Sequence, residues 1–91
     1  MGKAYIVDAK RTPVGKARGC LSKTRADDLL VHAIQSVLTA SDESQEINNN
    51  IDDIIVGCAM PEGPQGLNIA RIATLLAGLP DSTPAYTLNR F

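Results

Sequence analysis

The residues of this chain best suited to nucleophilic chemistry are two cysteines, Cys20 and Cys58. They lie far apart and form no Cys-x-x-Cys pair. A thiol becomes reactive when a helix N-terminus, a neighbouring cation or a general base favours its thiolate. Cys58 follows a predicted strand but precedes a predicted loop rather than a helix. We therefore predict that both cysteines are reduced structural thiols and that neither is catalytic.

His32 is the single histidine, and an imidazole is the side chain best suited to acid–base catalysis near neutral pH. It lies about opposite the apolar stripe of a predicted helix. No cysteine, serine or paired acid lies in a fixed register with it. We predict an exposed structural role for His32 rather than a catalytic one.

Three glycines, Gly57, Gly63 and Gly66, lie between a predicted strand and a predicted helix, where phosphate-binding loops occur. Their spacing fits neither Gly-x-Gly-x-x-Gly nor the P-loop, which ends in Gly-Lys-Ser/Thr. The spacing therefore favours a loop that packs at an interface over a nucleotide site.

Charged residues are unevenly distributed. The segment 10–25 holds most of the basic residues: Lys10, Arg11, Lys16, Arg18, Lys23 and Arg25. This segment could attract the phosphates of a coenzyme, but a solvated turn with some interface ion pairs is the favoured interpretation. The acidic pair at 27–28 lies at the start of a predicted helix, and the pair at 52–53 precedes a predicted strand. Because the acidic residues are otherwise scattered, no metal or paired-carboxylate site is predicted.

Apolar patterning predicts five elements that position these residues. Residues 4–8 are rich in β-formers and predict a buried strand, which the turn-forming residues 10–15 cut off. A helix is predicted to begin at Thr24, which forms a capping-box-like pair with Asp27. Its apolar stripe recurs at spacings of three and four. The stripe consists of Ala26, Leu29, Leu30, Ala33, Ile34, Val37 and Leu38.

Residues 41–50 are polar and predict a surface connection. A second strand, buried on both faces, is predicted within residues 51–59. Two prolines and two glycines in residues 60–66 exclude regular structure and predict a shaped loop. A second helix over residues 67–77 ends at Gly78, followed by Pro80, and a third strand covers residues 85–89.

The polar residues of the second helix, Asn68, Arg71 and Thr74, fall three apart, and most other positions are apolar. This helix is therefore expected to be covered on more than one side. Arg71 is expected to bind a carboxylate or several backbone carbonyls, because a guanidinium in such surroundings needs partners. We expect it to fasten the helix to the loop 60–66 or to a neighbouring subunit and so to hold the third strand.

Alternation of strands and helices predicts an α/β fold with βαβ crossovers and a parallel sheet. Ninety-one residues fit one small domain. A formal net charge of −1 argues against a general nucleic-acid binder. No apolar run approaches the roughly 18 residues of a membrane span. The N-terminal apolar stretch is too short for a signal peptide, so a cytoplasmic protein is predicted.

Four segments resemble thiolases. Residues 7–16 are similar to the family's opening Ala-x-Arg-Thr-Pro-x-Gly-Lys turn, and residues 25–29 resemble its first helix start. Residues 66–71 are similar to the Gly-x-Asn-x-Ala-Arg signature, and residues 84–91 to the strand before the nucleophile. The Pro-Glu-x-x-Gln-Gly-Leu-Asn form of residues 61–68 favours the degradative 3-ketoacyl-CoA branch.

The resemblance implies that residues 1–91 are a partial N-terminal thiolase domain, the β-α-β-α-β start of a five-layer αβαβα fold. It implies that the nucleophilic cysteine directly follows Phe91, so this segment holds no catalytic residue. The activating histidine, the second cysteine and most coenzyme contacts would lie further on. The intact enzyme would cleave 3-ketoacyl-CoA with coenzyme A as co-substrate, through a cysteine thioester, in fatty acid β-oxidation.

The same resemblance implies a homodimer or homotetramer whose third strand pairs with that of its mate. No covalently bound cofactor is implied. A biosynthetic acetoacetyl-CoA thiolase and a noncatalytic structural fragment remain as alternatives. A related ketoacyl synthase would share the fold and the position of the nucleophile but lacks the Gly-x-Asn-x-Ala-Arg approach.

Overall fold

The structure, a computed structural model, describes residues 2–38 and 48–91. Its elements in those ranges are helix α1 (Ala26–Leu38), strand β1 (Ile54–Gly57), helix α2 (Ile69–Leu76) and strand β2 (Ala85–Leu88). These elements confirm the α/β character of the chain. Of the predicted connection over residues 41–50, residues 41–47 lie outside the described residues, and residues 48 and 49 have helical backbone.

α1 begins near the predicted start, but its first turn is fixed by a different pair of residues. The amide of Thr24 donates to the carbonyl oxygen of Leu21 at 3.1 Å. Asp27 instead receives two hydrogen bonds from Arg25, from Nε to Oδ1 and from Nη2 to Oδ2, both 3.0 Å long. The capping pair of Thr24 and Asp27 was therefore wrong. A planar guanidinium fits both carboxylate oxygens at once, and this bidentate geometry gives a stronger bond than a single backbone amide.

β1 and β2 form a parallel two-stranded sheet, with Ile54 opposite Ala85 and Gly57 opposite Leu88. α2 forms the crossover between them and contacts both strands as well as α1. Its predicted cover on more than one side is thus confirmed. Among the described residues, the buried apolar ones belong to α2 or to the turn after it: Ile69, Ala70, Ala73 and Leu79.

α2 ends where the sequence predicted, at a glycine. Gly78 has a φ of +86°, a conformation that side chains with a Cβ rarely adopt. Its amide donates to the carbonyl oxygen of Leu75 at 3.1 Å, and the amide of Leu79 donates to that of Thr74 at 3.2 Å. This is a Schellman motif, and the side chain that follows it, Leu79, is buried.

The strand predicted over residues 4–8 is wrong, because residues 2–15 contain no helix or strand. Tyr5, Ile6 and Val7 are 79%, 90% and 86% exposed. A β-forming segment becomes a strand only where a sheet edge and an apolar surface receive it. In the part of the chain that the structure describes, the sheet consists of β1 and β2.

Two further predictions need correction. β1 is not buried on both faces: Ile54 and Val56 are half-buried, whereas Ile55 is 56% exposed. Successive side chains of a strand point to opposite faces, and α2 covers one of them. The loop 60–66 also contains regular structure, a single 3₁₀ turn over Gly63–Gln65, which Pro64 permits because it lies in the first turn.

Candidate functional site

The first turn of α2 is joined to β2 by the side chain of Asn68, the residue that caps the helix. Oδ1 of Asn68 accepts a hydrogen bond from the amide of Arg71 at 3.3 Å, as a capping side chain does. Nδ2 of the same amide donates to the carbonyl oxygen of Ala85 at 3.1 Å. One side chain therefore caps the helix and binds the backbone of the strand.

Thr87 completes the connection from the strand side. Its hydroxyl donates to Oδ1 of Asn68 at 2.9 Å and accepts a hydrogen bond from the amide of Ala70 at 3.2 Å. The amide of Ala70 lies in the first turn of α2, where backbone amides have no partner within the helix. Thr87 thus satisfies a helix amide from the neighbouring strand.

Arg71 extends the connection to the turn that precedes β2. Nη1 donates to the carbonyl oxygen of Thr83 at 2.8 Å, and Nη2 donates to that of Asp81 at 2.9 Å. Backbone carbonyls as partners were predicted, and so was the link to the strand now named β2. The predicted partner loop was wrong: both guanidinium bonds of Arg71 go to the turn at residues 81–83 and neither goes to the loop 60–66.

The other end of β2 is held by β1. The amide of Cys58 donates to the carbonyl oxygen of Leu88 at 3.0 Å, one residue beyond the last paired position of β1. After this bond the chain leaves the sheet. Oδ1 of Asn89 accepts from the amide of Phe91 at 3.0 Å, and Phe91 is 94% exposed.

The hydrogen bonds that the side chains of Asn68, Arg71 and Thr87 make to β2, to the turn before it and between strand and helix form a set that we name the β2 anchor. The anchor fixes the position and register of β2 through hydrogen bonds to its backbone and to the preceding turn. Within the described ranges no group of three or more His, Cys, Asp or Glu residues is placed to hold a metal ion. This arrangement can position the backbone that follows Leu88.

The predicted structural cysteines and histidine lie apart from one another in the sequence and differ in exposure. Cys58 is half-buried at the end of β1 and leads into a loop, as predicted. Cys20 is exposed, and so is His32 on α1. The prediction that none of them is catalytic stays a prediction.

A shallow cavity of about 340 Å³ lies at the C-terminal end of α2, the opposite end from Asn68. Its lining residues are His32, Gln35, Ser36, Leu38, Asn48 and Ala77. The cavity contains no residue of the β2 anchor. We therefore assign it no part in positioning β2.

Sequence reasoning singled out Asn68 and Arg71 but missed Thr87, which it treated only as a strand residue. A usable signal was present. Ala85 and Thr87 alternate onto one face of the strand, the face that α2 covers, and a hydroxyl on a covered face needs a hydrogen-bond partner.

Comparison with known proteins agrees with the resemblance. A family model described as thiolase, N-terminal domain, matches residues 4–91. The chain is 48% identical over its whole length to a 3-ketoacyl-CoA thiolase of Bacillus subtilis (strain 168), of which it covers 23%. In the part of the chain that the structure describes, no helix is long and apolar enough to cross a membrane.

Two further relatives are named for other substrates. The chain is 44% identical over 99% of its length to a 3-oxoadipyl-CoA/3-oxo-5,6-dehydrosuberyl-CoA thiolase of Escherichia coli (strain K12), covering 22% of that protein. It is 42% identical over 97% of its length to a beta-ketoadipyl-CoA thiolase of Pseudomonas knackmussii, covering 21%. The chain thus spans less than a quarter of the length of these relatives. On the family match over nearly all its residues, the chain belongs to the thiolase family, as part of the N-terminal domain.

Proposed function

We propose that this chain is part of a 3-ketoacyl-CoA thiolase, an acyltransferase that converts 3-ketoacyl-CoA and coenzyme A to acetyl-CoA and a shortened acyl-CoA. The observation that carries the proposal is the thiolase N-terminal domain match over residues 4–91. The B. subtilis relative bears the name of this activity. We further propose the five-layer αβαβα fold for the complete protein, with residues 1–91 at its start.

The reaction would use a cysteine that directly follows Phe91 in the complete polypeptide. Its thiolate attacks the 3-keto carbon, and the bond between C2 and C3 then breaks. The electron pair stays on C2, which takes up a proton and leaves as acetyl-CoA. The thiol of coenzyme A loses its proton and attacks the remaining thioester, which releases the shortened acyl-CoA and restores the cysteine. The β2 anchor would fix the backbone that carries this cysteine.

The acyl group remains a choice between specific candidates. Fatty acid β-oxidation is the proposed pathway, on the strength of the Pro-Glu-x-x-Gln-Gly-Leu-Asn form of residues 61–68 and of the B. subtilis relative. The second candidate is a 3-oxoadipyl-CoA substrate, which the names of the E. coli and Pseudomonas relatives favour. A biosynthetic acetoacetyl-CoA thiolase is the third.

A comparison of substrates separates these candidates. The complete polypeptide is given coenzyme A with 3-ketoacyl-CoA of several chain lengths, with 3-oxoadipyl-CoA or with acetoacetyl-CoA, and acetyl-CoA formation is followed by mass spectrometry. The proposal requires kcat/KM to be highest for an unbranched 3-ketoacyl-CoA that is longer than acetoacetyl-CoA and has no terminal carboxylate. A preference for 3-oxoadipyl-CoA supports the second candidate, and no thiolysis of any of them refutes the proposed function.

For the complete enzyme we propose a cytoplasmic homodimer or homotetramer that takes coenzyme A as co-substrate. Exposed apolar side chains support burial against further protein: Ile55 is 56% exposed, Tyr86 45% and Leu88 46%, and all three lie on one face of the sheet. Light scattering of the complete polypeptide tests the oligomeric state, and a monomer at micromolar concentration would contradict it.

A further inference from the structure

The hydroxyl of Thr87 has two partners, and both belong to the start of α2. It donates to Oδ1 of Asn68 at 2.9 Å and accepts from the amide of Ala70 at 3.2 Å. Ala70 is fully buried, so water cannot replace the threonine as the acceptor for this amide. By donating to one group of the helix start and accepting from another, the hydroxyl fixes the distance between β2 and α2.

We infer that Thr87 and Asn68 form a positioning pair that holds the end of β2, and hence the backbone of residues 88–91, in one place. The functional part of this inference, that the pair controls the reactivity of a cysteine following Phe91, rests on the proposed function. The structural part stands on the hydrogen bonds alone.

The place of Thr87 in the strand explains why loss of its hydroxyl should displace β2 and not only destabilise the fold. Asn68 binds the carbonyl oxygen of Ala85, two residues before Thr87, and Cys58 binds that of Leu88, one residue after it. Thr87 is the point between these two bonds at which a side chain links the strand to α2. Without its hydroxyl, β2 keeps its ladder to β1 and the bond from Asn68 to Ala85, but it loses the side-chain link to α2 that lies nearest residues 88–91.

The same helix contains a matched control. Thr74 is fully buried, whereas Thr87 is half-buried, and the hydroxyl of Thr74 donates to the carbonyl oxygen of Ala70 at 2.7 Å, within α2. Thr74→Val removes a buried hydroxyl of α2 whose hydrogen bond stays within the helix. Thr87→Val removes the link with little change of side-chain shape, and Thr87→Ser retains the hydroxyl.

Amide hydrogen exchange of the complete polypeptide tests the structural part without any need for activity. We expect Thr87→Val to speed exchange by about fivefold at Leu88 and at Cys58, whose amide binds the carbonyl oxygen of Leu88; this factor corresponds to one net hydrogen bond. Thr74→Val and Thr87→Ser should leave exchange at these residues within about twofold of the parent protein. Equal exchange in Thr87→Val and Thr74→Val would overturn the inference.

Kinetics test the functional part. We expect Thr87→Val to lower kcat by at least about tenfold with KM for coenzyme A unchanged, since a small misplacement of a reacting group is costly. Thr87→Ser should restore kcat to within about threefold of the parent, and Thr74→Val should leave it unchanged. If the parent protein catalyses no thiolysis, the proposed function fails, and the exchange result alone decides the structural part. An unchanged kcat in an active Thr87→Val enzyme would overturn the functional part.

Discussion

Nη1 of Arg71 lies 2.8 Å from the carbonyl oxygen of Thr83, a residue that is only 4% exposed. The bond joins the first turn of α2 to the turn that leads into β2. Because Nη2 of the same guanidinium binds the carbonyl oxygen of Asp81, two of the side chain's donors are used within the protein. Arg71 therefore acts on the backbone that positions β2, and a role as a ligand contact is disfavoured.

Replacing Arg71 should lower stability first and activity only as a consequence. We expect Arg71→Ala to cost about 1.5 to 3 kcal/mol, the usual worth of hydrogen bonds made by a charged group. Arg71→Lys should lose less stability, because an ammonium keeps the positive charge. It should still lose some, since an ammonium cannot span both carbonyls in the same fork. The melting temperature and oligomeric state of the complete polypeptide measure this. An unchanged melting temperature with a KM for coenzyme A raised tenfold would mean that Arg71 binds the ligand.

The sequence predicted α1 and α2 well because their signals are local. The stripe from Ala26 to Leu38 and the stop at Gly78 depend on spacing and on backbone conformation, which neighbouring residues decide. The strand over residues 4–8 failed because a strand depends on a partner elsewhere in the chain. Which carbonyl oxygens Arg71 binds could not be read from sequence. Every residue has a backbone carbonyl, and the tertiary fold decides which of them lie near the guanidinium.

The ion pair at the start of α1 should make stability depend on pH. The hydrogen bonds from Arg25 lower the pKa of Asp27, and partial burial opposes this effect without reversing it. A carboxyl whose pKa is lower in the folded than in the unfolded state stabilises the fold above the unfolded value, about 3.9, and loses this effect as the pH falls through the folded value. We expect Asp27→Asn to reduce the loss of melting temperature on acidification below about pH 4.

Arg25→Gln is the matched variant for this prediction. It removes the largest cause of the lowered pKa and leaves the carboxylate in place, so its acid profile should approach that of Asp27→Asn. The two changes together should then have little more effect than either alone, because both remove the same interaction. Additive effects of the two substitutions on the acid dependence would contradict the pairing.

Neither cysteine of this chain should be needed for turnover. Cys58 contributes its backbone amide to the end of β2, and Cys20 is exposed. We expect Cys58→Ser and Cys20→Ser to retain thiolysis within about tenfold of the parent enzyme, whereas loss of a nucleophile costs several orders of magnitude. Steady-state kinetics with a circular dichroism check on folding measures this. A collapse of activity in folded Cys58→Ser would identify it as the nucleophile.

A peptide of these 91 residues should fold poorly by itself. Four apolar residues are buried in the part of the chain that the structure describes, and two of them are alanines, whereas Ile55, Leu76 and Leu88 are about half exposed. Such a core supplies little of the burial that offsets chain entropy. We expect thermal denaturation followed by circular dichroism to show a broad change, and a sharp cooperative transition of the monomeric peptide would contradict this expectation.

Trapping of the acyl-enzyme is the most direct test of our proposal that an acyl-accepting cysteine follows Phe91 in the complete polypeptide. The complete polypeptide is mixed with a 3-ketoacyl-CoA in the absence of free coenzyme A, quenched with acid and digested for peptide mass spectrometry. We expect an acyl group on the cysteine directly after Phe91, and we expect it to be removed when coenzyme A is added before the quench. Acylation of Cys58 or Cys20 instead, or no acylated cysteine at all, would contradict it.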